Sequence, residues 1–477
     1  MPETTVIIHG WSDCSESFQE LKRFLVQQGV GTVKTILYAD YESREDNITF
    51  NDVVDGLNDE FIRNGFIDLA GRKLCDLNVI VHSTGGLVIR HWIWRYYFRD
   101  GDRIADCPVK RLVMLAPANF GSPLAHRGKS FLGELFKGRW KIGDFLEVGR
   151  QLLEGLELGS PYQWELAHRD LLVANPYYNA HQIQTTILVG ADDYSGLRGW
   201  VNKPGTDGTA VIAGTSIDSA KLVLDLSRPT QPGENYVPYR WAITNPPSDF
   251  AWGVLEGVNH GTIIDQVAPG NNSQVGQLLI QALKTQNQQD FQNLQQQIET
   301  LTATTYKNNG KPKFQQFIFH AIDDQNVSIR DFTVEFFIFK GARKVSGRVV
   351  TKETLSQAEQ GFSQQIHETL TGEFHQHSVD PSYRRLLVDL RQVESVIDQA
   401  QQALGQNIVL SMRVYVPKLD RGIQYHVAGL QNVVLHDPGD TGNGAPSFFF
   451  ENTTTLVELQ VDRFTEYVTV NPEPRKH

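Results

Sequence analysis

The segment Asn78–Gly86 constrains the fold of this chain more than any other stretch. A short apolar run ends at Ser83, and small residues and a long helical pattern follow at once. A strand that turns sharply into a helix at a serine holds the hydroxyl exposed, and the next backbone N–H groups point at a developing oxyanion. The pattern therefore predicts a buried strand, a tight turn and a helix, with Ser83 as a candidate nucleophile.

Two further segments supply partners for a serine nucleophile. Asp207 lies in a polar loop, and His260 follows the apolar run Trp252–Leu255. Serine hydrolases built on a parallel α/β sheet have their catalytic residues in the chain order Ser, Asp, His. With this order and the elbow at Ser83, the chain resembles an α/β-hydrolase of the bacterial lipase or phospholipase type over residues 1–285.

The resemblance implies a role for each matching residue. Ser83 would be the nucleophile, His260 the general base, and Asp207 the acid that orients His260. The backbone N–H groups of Thr84 and Trp11 would form the oxyanion hole. No organic cofactor and no metal is expected.

The acid has a second candidate. Asp192 directly follows the apolar strand 185–190, where many α/β-hydrolases carry the acid. We prefer Asp207, because the small Gly208 after it leaves space for a histidine to approach. The structural alternative is that either aspartate only caps a turn, which Asp-Gly pairs often do.

Val81 departs from the G-x-S-x-G form of the elbow, since it stands in place of the first glycine. A larger side chain there crowds the turn, so we expect a small neighbour or a displaced helix. We expect His9, at the end of the first apolar run, to be structural rather than catalytic, and His82, just before Ser83, to be packed or solvated beside the elbow without handling the substrate.

Composition narrows the class of protein. The chain has 477 residues and a formal net charge of −11, which argues against general nucleic-acid binding. Its three cysteines, Cys14, Cys75 and Cys107, follow no disulfide or zinc pattern. The sequence shows no signal peptide and no apolar run long enough to span a membrane, so we expect a cytoplasmic start, with secretion by a non-classical route left open.

The predicted fold class is α/β, with an α/β-hydrolase domain over residues 1–285 and a helical cap at about 121–180. Strands are predicted near 4–9, 33–38, 77–82, 111–117, 185–190 and 251–256. Residues 286–312 predict a helical linker. Residues 313–477 carry short β-rich runs that predict an all-β sandwich, interrupted by a helix at about 382–403.

We therefore expect a serine carboxylic-ester hydrolase that acts on a lipid ester or another ester at an interface. By analogy, the C-terminal domain can dock on a lipid surface. The alternatives are a non-lipid esterase, thioesterase or amidase on the same fold, or a non-catalytic binding protein. A secreted antibacterial phospholipase is a further alternative, which differs in biological setting but uses the same chemistry.

Overall fold

The computed structural model describes residues 4–9, 16–37, 47–125, 150–194, 202–226, 240–244, 246, 249–341, 352–416, 423–425, 433–436 and 448–465. Trp11 and residues 126–149 of the predicted cap lie outside these ranges. The described chain divides into two compact units. The first comprises 1–219, 245–314 and 452–454, and the second comprises 220–244, 315–451 and 455–477.

The first unit is built on a six-stranded parallel sheet of order β2-β1-β3-β4-β5-β8. Its strands are β1 (Thr4–His9), β2 (Thr32–Leu37), β3 (Leu77–His82), β4 (Val109–Leu115), β5 (Gln184–Gly190) and β8 (Ala251–Leu255). β3, β4 and β5 are almost entirely buried, as expected for parallel strands covered on both faces. All six predicted strands are present.

The helices of the first unit are α1 (Glu16–Gln27), α2 (Phe50–Arg63), α3 (Gly85–Tyr97), α4 (Arg150–Leu156), α5 (Pro161–Asp170), α6 (Ile212–Thr215), α7 (Thr262–Asp265), α8 (Gln274–Lys284) and α9 (Gln288–Asn309). α3 follows the turn at Ser83 directly. Ten of its thirteen residues are buried, so α3 lies inside the unit.

α9 covers the region predicted as a linker, and it packs on the sheet of the first unit. A Cβ added at Gly253 of β8 would lie 2.5 Å from Cγ2 of Ile298, so only glycine lets the helix approach this strand. The Val254 N–H donates to Oγ1 of Thr302 at 3.1 Å. The helix ends at Gly310, which has a left-handed backbone (φ 56°).

The second unit contains β6 (Ser219–Asp225), β7 (Arg240–Thr244), β9 (Phe314–Asp323), β10 (Thr333–Lys340), β11 (Glu373–Gln376), β12 (Tyr383–Asp389), β13 (Ile408–Tyr415), β14 (Ile423–Tyr425), β15 (Val433–His436), β16 (Thr454–Val461) and β17 (Arg463–Thr465). They form sheets of order β11-β12-β9-β16-β6-β7, β10-β13-β15 and β14-β17. Leu222, Phe317, Phe336 and Leu410 belong to one shared apolar core of the two larger sheets.

Two helices, α10 (Gln357–Thr371) and α11 (Leu390–Leu404), make the second unit β-rich rather than all β. The prediction of a single helix at 382–403 was wrong in its first part, because Tyr383–Asp389 forms strand β12. This strand is buried along its whole length and therefore lacks the alternation that marks a half-exposed strand.

The division of the chain differs from the sequence-based boundary near residue 285. Ala220–Thr244 leaves the first unit and adds β6 and β7 to the six-stranded sheet of the second. β6 pairs with β7 in antiparallel fashion, with Leu222 opposite Ile243. This sheet is assembled from segments that are far apart in the sequence. The boundary between the two units is therefore not marked by a change in amino-acid composition.

Candidate active site

Ser83 lies at the sharp turn between β3 and α3, and it is one of the described non-glycine residues with a positive φ (53°). Such a backbone costs on the order of 1–3 kcal/mol and needs support from its surroundings. The Ser83 N–H donates to Leu115 O at 3.2 Å, and Ser83 O accepts from Ala118 N–H at 3.0 Å. These bonds to the end of β4 hold the strained residue, which stays partly exposed.

Small residues after Ser83 allow the close packing that the turn requires. A Cβ at Gly86 would lie 2.7 Å from Cβ of Pro117 and 2.8 Å from Oδ1 of Asn119. A Cβ at Gly85 would lie 3.1 Å from Cβ of Val81. The larger residue at Val81 is thus accommodated by a small neighbour, as the sequence suggested.

His260 follows β8 and precedes α7, and its ring bridges the other two candidate residues. Its Nε2 lies 3.1 Å from Oγ of Ser83, and its Nδ1 lies 3.0 Å from Oδ2 of Asp207. With Nδ1–H donating to the carboxylate, Nε2 is left to accept the serine proton. The side chains of His260 and Asp207 are fully buried, so water does not compete for this hydrogen bond.

The loop around Asp207 fixes the carboxylate from its other side. Oδ1 accepts the N–H groups of Thr209 at 3.0 Å and Ala210 at 2.7 Å. The His260 N–H donates to the backbone carbonyl of Asp207 at 3.0 Å. Backbone and side chain of Asp207 therefore both hold His260, and one carboxylate oxygen is directed at the imidazole.

Asp192, the other candidate acid, has a different environment. Its N–H donates to Val258 O at 2.9 Å, and its side chain is partly exposed. Partial burial raises its pKa, although nearby Lys311 acts in the opposite direction. The His260 ring pairs with Asp207, so the structure brings Ser83, His260 and Asp207 together.

His82 supports the site in a way that sequence reasoning missed. Its ring is buried, and its Nε2–H donates to the backbone carbonyl of His260 at 3.1 Å. Burial, followed by repulsion from His260, lowers the pKa of His82 to about 3, so the ring is neutral at ordinary pH. His9 is also buried and stacks on Phe18 with ring centroids 4.0 Å apart.

The oxyanion candidates are only partly described. Thr84 precedes the first turn of α3 with a helical backbone (φ −60°, ψ −19°), so its position is the N-terminal end of that helix. The partial positive charge of a helix N-terminus favours an anion there. Trp11 lies outside the described residues.

The described part of the cap is anchored to the body. A Cβ at Gly155 of α4 would lie 2.7 Å from the Phe50 ring, which stacks on Tyr162 of α5. Arg90 of α3 and Asp170 of α5 form a fully buried ion pair, with Nε to Oδ2 at 2.8 Å and Nη2 to Oδ1 at 2.9 Å. These contacts hold α4 against α2 and α5 against α3.

Within the described ranges, no group of three or more His, Cys, Asp or Glu side chains is arranged to hold a metal ion. Among the helices of those ranges, none combines the length and the apolar character required to cross a bilayer.

The parallel sheet, the strained serine after β3 and the histidine after β8 define an α/β-hydrolase fold. The whole chain is similar to the structure of phospholipase PlaB from Legionella pneumophila, with a TM-score of 0.75 and 22% sequence identity. The similarity covers 99% of this chain and 97% of that one. The structure of the same phospholipase in complex with thio-NAD gives a TM-score of 0.74 at 21% identity, with the same coverage of 99% and 97%.

No family model matches the sequence, and no curated protein matches it either. The structural similarity extends over both units, and it confirms the predicted fold class: an α/β-hydrolase fold followed by a β-rich region.

Proposed function

We propose that this protein is a serine hydrolase of lipid esters, of the lipase or phospholipase A type, and that Ser83, His260 and Asp207 are its catalytic triad. One observation carries the proposal. A continuous hydrogen-bond chain runs from Asp207 through the His260 ring to the hydroxyl of Ser83, with contacts of 3.0 and 3.1 Å. These distances lie within the range for proton transfer between a nucleophile and its base.

The reaction begins with attack of Ser83 Oγ on the ester carbonyl carbon while the hydroxyl proton passes to His260 Nε2. Asp207 stabilises the imidazolium that forms. The carbonyl electron pair moves to the oxygen, and the Thr84 and Trp11 N–H groups would bind this oxyanion. When the carbonyl re-forms, the alcohol leaves with the proton from His260.

The second half of the reaction releases the acid. His260 takes a proton from water, and the resulting hydroxide attacks the acyl–Ser83 ester. Collapse of the second tetrahedral intermediate breaks the bond to Ser83 Oγ, which recovers its proton from His260. The products are the free carboxylic acid and the regenerated enzyme.

Two observations support a lipid ester as the substrate. One solved structure that is similar over both units is that of a phospholipase. One face of the cap helix α4 is apolar, with Leu152, Leu153 and Leu156 buried, and an apolar cap favours a long acyl chain. The β-rich second unit is a candidate for docking on the lipid surface.

The test is hydrolysis of a nitrophenyl ester series of increasing acyl length and of phospholipid vesicles. Ser83→Ala should abolish activity, by about 10³-fold or more, because the nucleophile is lost. Ser328→Ala is the matched control, since Ser328 Oγ also contacts a histidine, His320, at 3.3 Å but lies in the second unit. Its activity should equal that of the wild type.

Activity that rises with acyl length and disappears only in Ser83→Ala supports the proposal. Cleavage of a thioester or amide without any ester hydrolysis would assign the same triad to a thioesterase or amidase. A folded protein that cleaves none of these substrates would instead be a binding protein on a hydrolase fold.

A further inference from the structure

Tyr194, in the segment after β5, lies against the loop that carries the candidate acid. The residue is buried, and a Cβ added at Gly208 would lie 2.6 Å from its ring atoms Cδ2 and Cε2. A Cβ added at Gly261 would lie 3.9 Å from its ring atom Cε1. The Tyr194 ring therefore packs beside the residue that follows Asp207 and beside the residue that follows His260.

The Tyr194 hydroxyl is connected to the Asp207 carboxylate through Thr209. The hydroxyl groups of Tyr194 and Thr209 share a hydrogen bond of 2.9 Å. The Thr209 N–H donates to Oδ1 of Asp207 at 3.0 Å, and the Ala210 N–H donates to the same oxygen at 2.7 Å. A shift of Thr209 therefore moves one of the two donors that orient this carboxylate, whose other oxygen faces His260.

Thr209 is fixed from a second side by Ser122. The Ser122 hydroxyl donates to the backbone carbonyl of Thr209 at 2.7 Å and accepts the Leu124 N–H at 3.2 Å. Thr209 and Ser122 are both buried, so water does not compete for these contacts. Each polar group of Thr209 thus has a fixed partner, and Tyr194 is the partner of its side chain.

The main chain of Tyr194 is itself held by the side chain of Asn202. The Tyr194 N–H donates to Oδ1 of Asn202 at 3.0 Å, and Nδ2 of Asn202 donates to the Tyr194 carbonyl at 2.8 Å. Two hydrogen bonds to one residue fix the direction of its backbone as well as its position. Tyr194 therefore has the rigidity that a support for another loop requires.

We propose that Tyr194 is a positioning residue of the active site, which acts through Thr209 on the orientation of the Asp207 carboxylate. The inference rests on the proposed function, because it assigns a support to the same triad. Small displacements of a group that orients the base are costly to catalysis. The segment after β5, where many α/β-hydrolases carry the acid, would in this chain supply a support for the acid instead.

Tyr194→Phe tests the hydroxyl, because the variant keeps the ring over Gly208. Its kcat for a soluble nitrophenyl ester should fall about fivefold with KM unchanged, the scale of one neutral hydrogen bond. Rates are referred to the concentration of Ser83 that reacts with a fluorophosphonate, so unfolded protein does not count. Tyr178→Phe is the matched control, since it also loses a buried tyrosine hydroxyl, which donates to Oδ2 of Asp170 at 3.2 Å in the same unit. Its kcat should equal that of the wild type.

Double-mutant cycles separate positioning from a general effect on packing. Thr209→Val keeps the backbone N–H and the size of the side chain but lacks the hydroxyl, so it should lower kcat as much as Tyr194→Phe does. The two changes together should lower kcat no further. In Asp207→Asn, adding Tyr194→Phe should change kcat less than about twofold, because the carboxylate that it orients is gone. Additive losses in either cycle, or a wild-type kcat in Tyr194→Phe, would overturn the proposal.

A proton NMR measurement on the full chain does not depend on hydrolysis. The low-field resonance of the His260 Nδ1–H is identified by its loss in His260→Gln. In Tyr194→Phe it should move upfield or broaden, because a less well oriented Asp207 holds this proton more weakly, and in Tyr178→Phe it should not change. An unchanged resonance in Tyr194→Phe would contradict the proposal. Failure of the wild type to hydrolyse any ester would count against the proposed function instead, and the resonance would still report on Tyr194.

Discussion

The Nε2–H of His82 donates to the backbone carbonyl of His260 at 3.1 Å, and the two imidazole rings lie with their centroids 5.0 Å apart. The residue just before the candidate nucleophile thus holds the main chain of the candidate base. Because His82 is neutral and fully buried, it acts as a fixed donor.

His82→Phe should lower kcat without a matching rise in KM. The variant keeps a ring in the cavity but leaves the His260 carbonyl without its donor, so His260 is less well aligned with Ser83. We expect a decrease of about tenfold, the scale on which loss of one hydrogen bond changes an equilibrium or a rate. Steady-state kinetics on a soluble ester measures it. An unchanged kcat would show that His260 needs no support from His82.

The buried His82 should also make stability depend on pH. Its pKa falls from 6.5 to about 3 on folding, so between these values the unfolded chain binds the extra proton. The contribution of His82 to the unfolding free energy therefore decreases by about 1.4 kcal/mol for each unit that the pH falls below 6.5. His91 also has a lowered pKa, about 4, and acts in the same direction.

Urea unfolding at pH 7 and pH 5 measures this dependence. The wild type should lose stability between these two values, and His82→Phe should lose less, because one of the titrating groups is gone. Equal pH dependence in both proteins would mean that His82 is accessible to protons in the folded state.

Asp207→Asn should reduce kcat by about 10⁴-fold, because an amide no longer holds His260 in the tautomer that accepts the serine proton. Asp192→Asn is the matched control, with the same change of charge in the same unit. We expect its kcat to stay within about threefold of the wild type, a difference of less than about 1 kcal/mol. The opposite result for the two variants would make Asp192 the acid.

Removing one partner of the buried Arg90–Asp170 ion pair should destabilise the first unit by about 3–5 kcal/mol, because the other charge stays buried without compensation. Asp170→Ala tests this in urea unfolding. The exposed Arg169–Glu165 pair on the same helix is the control, and Glu165→Ala should cost no more than about 0.5 kcal/mol. Similar losses for both variants would contradict the burial of the pair.

Gly86→Ala should impair activity by displacing the turn at Ser83. The added Cβ would meet Pro117 at 2.7 Å and Asn119 at 2.8 Å, so the start of α3 has to shift. Gly361 on α10 is the control, because a Cβ there meets nothing within 4 Å. Gly361→Ala should leave activity unchanged and stabilise its helix by about 0.5–1 kcal/mol. Wild-type activity in Gly86→Ala would show that the turn tolerates the shift.

The features that are local in sequence can be predicted well. Buried parallel strands are continuous apolar runs, so these runs predict all six strands of the first sheet within about two residues, the usual uncertainty of a boundary. The turn at Ser83 is equally clear, because a serine among small residues between a strand and a helix is typical of a nucleophile elbow.

Features that depend on distant contacts could not be predicted. Nothing near Ala220–Thr244 indicates that this segment pairs with a sheet of the second unit. The sequence of β12 predicts a helix, because a strand buried on both faces has no alternating pattern. The role of His82 depends on a carbonyl 178 residues further along the chain.

The sequence by itself determined the strands, the elbow and the order of Ser83, Asp207 and His260, since apolar periodicity and turn chemistry act between near neighbours. Only the tertiary structure decided between Asp207 and Asp192 as the partner of His260. That choice depends on a distance of 3.0 Å between side chains 53 residues apart, and chain folding alone sets such a distance.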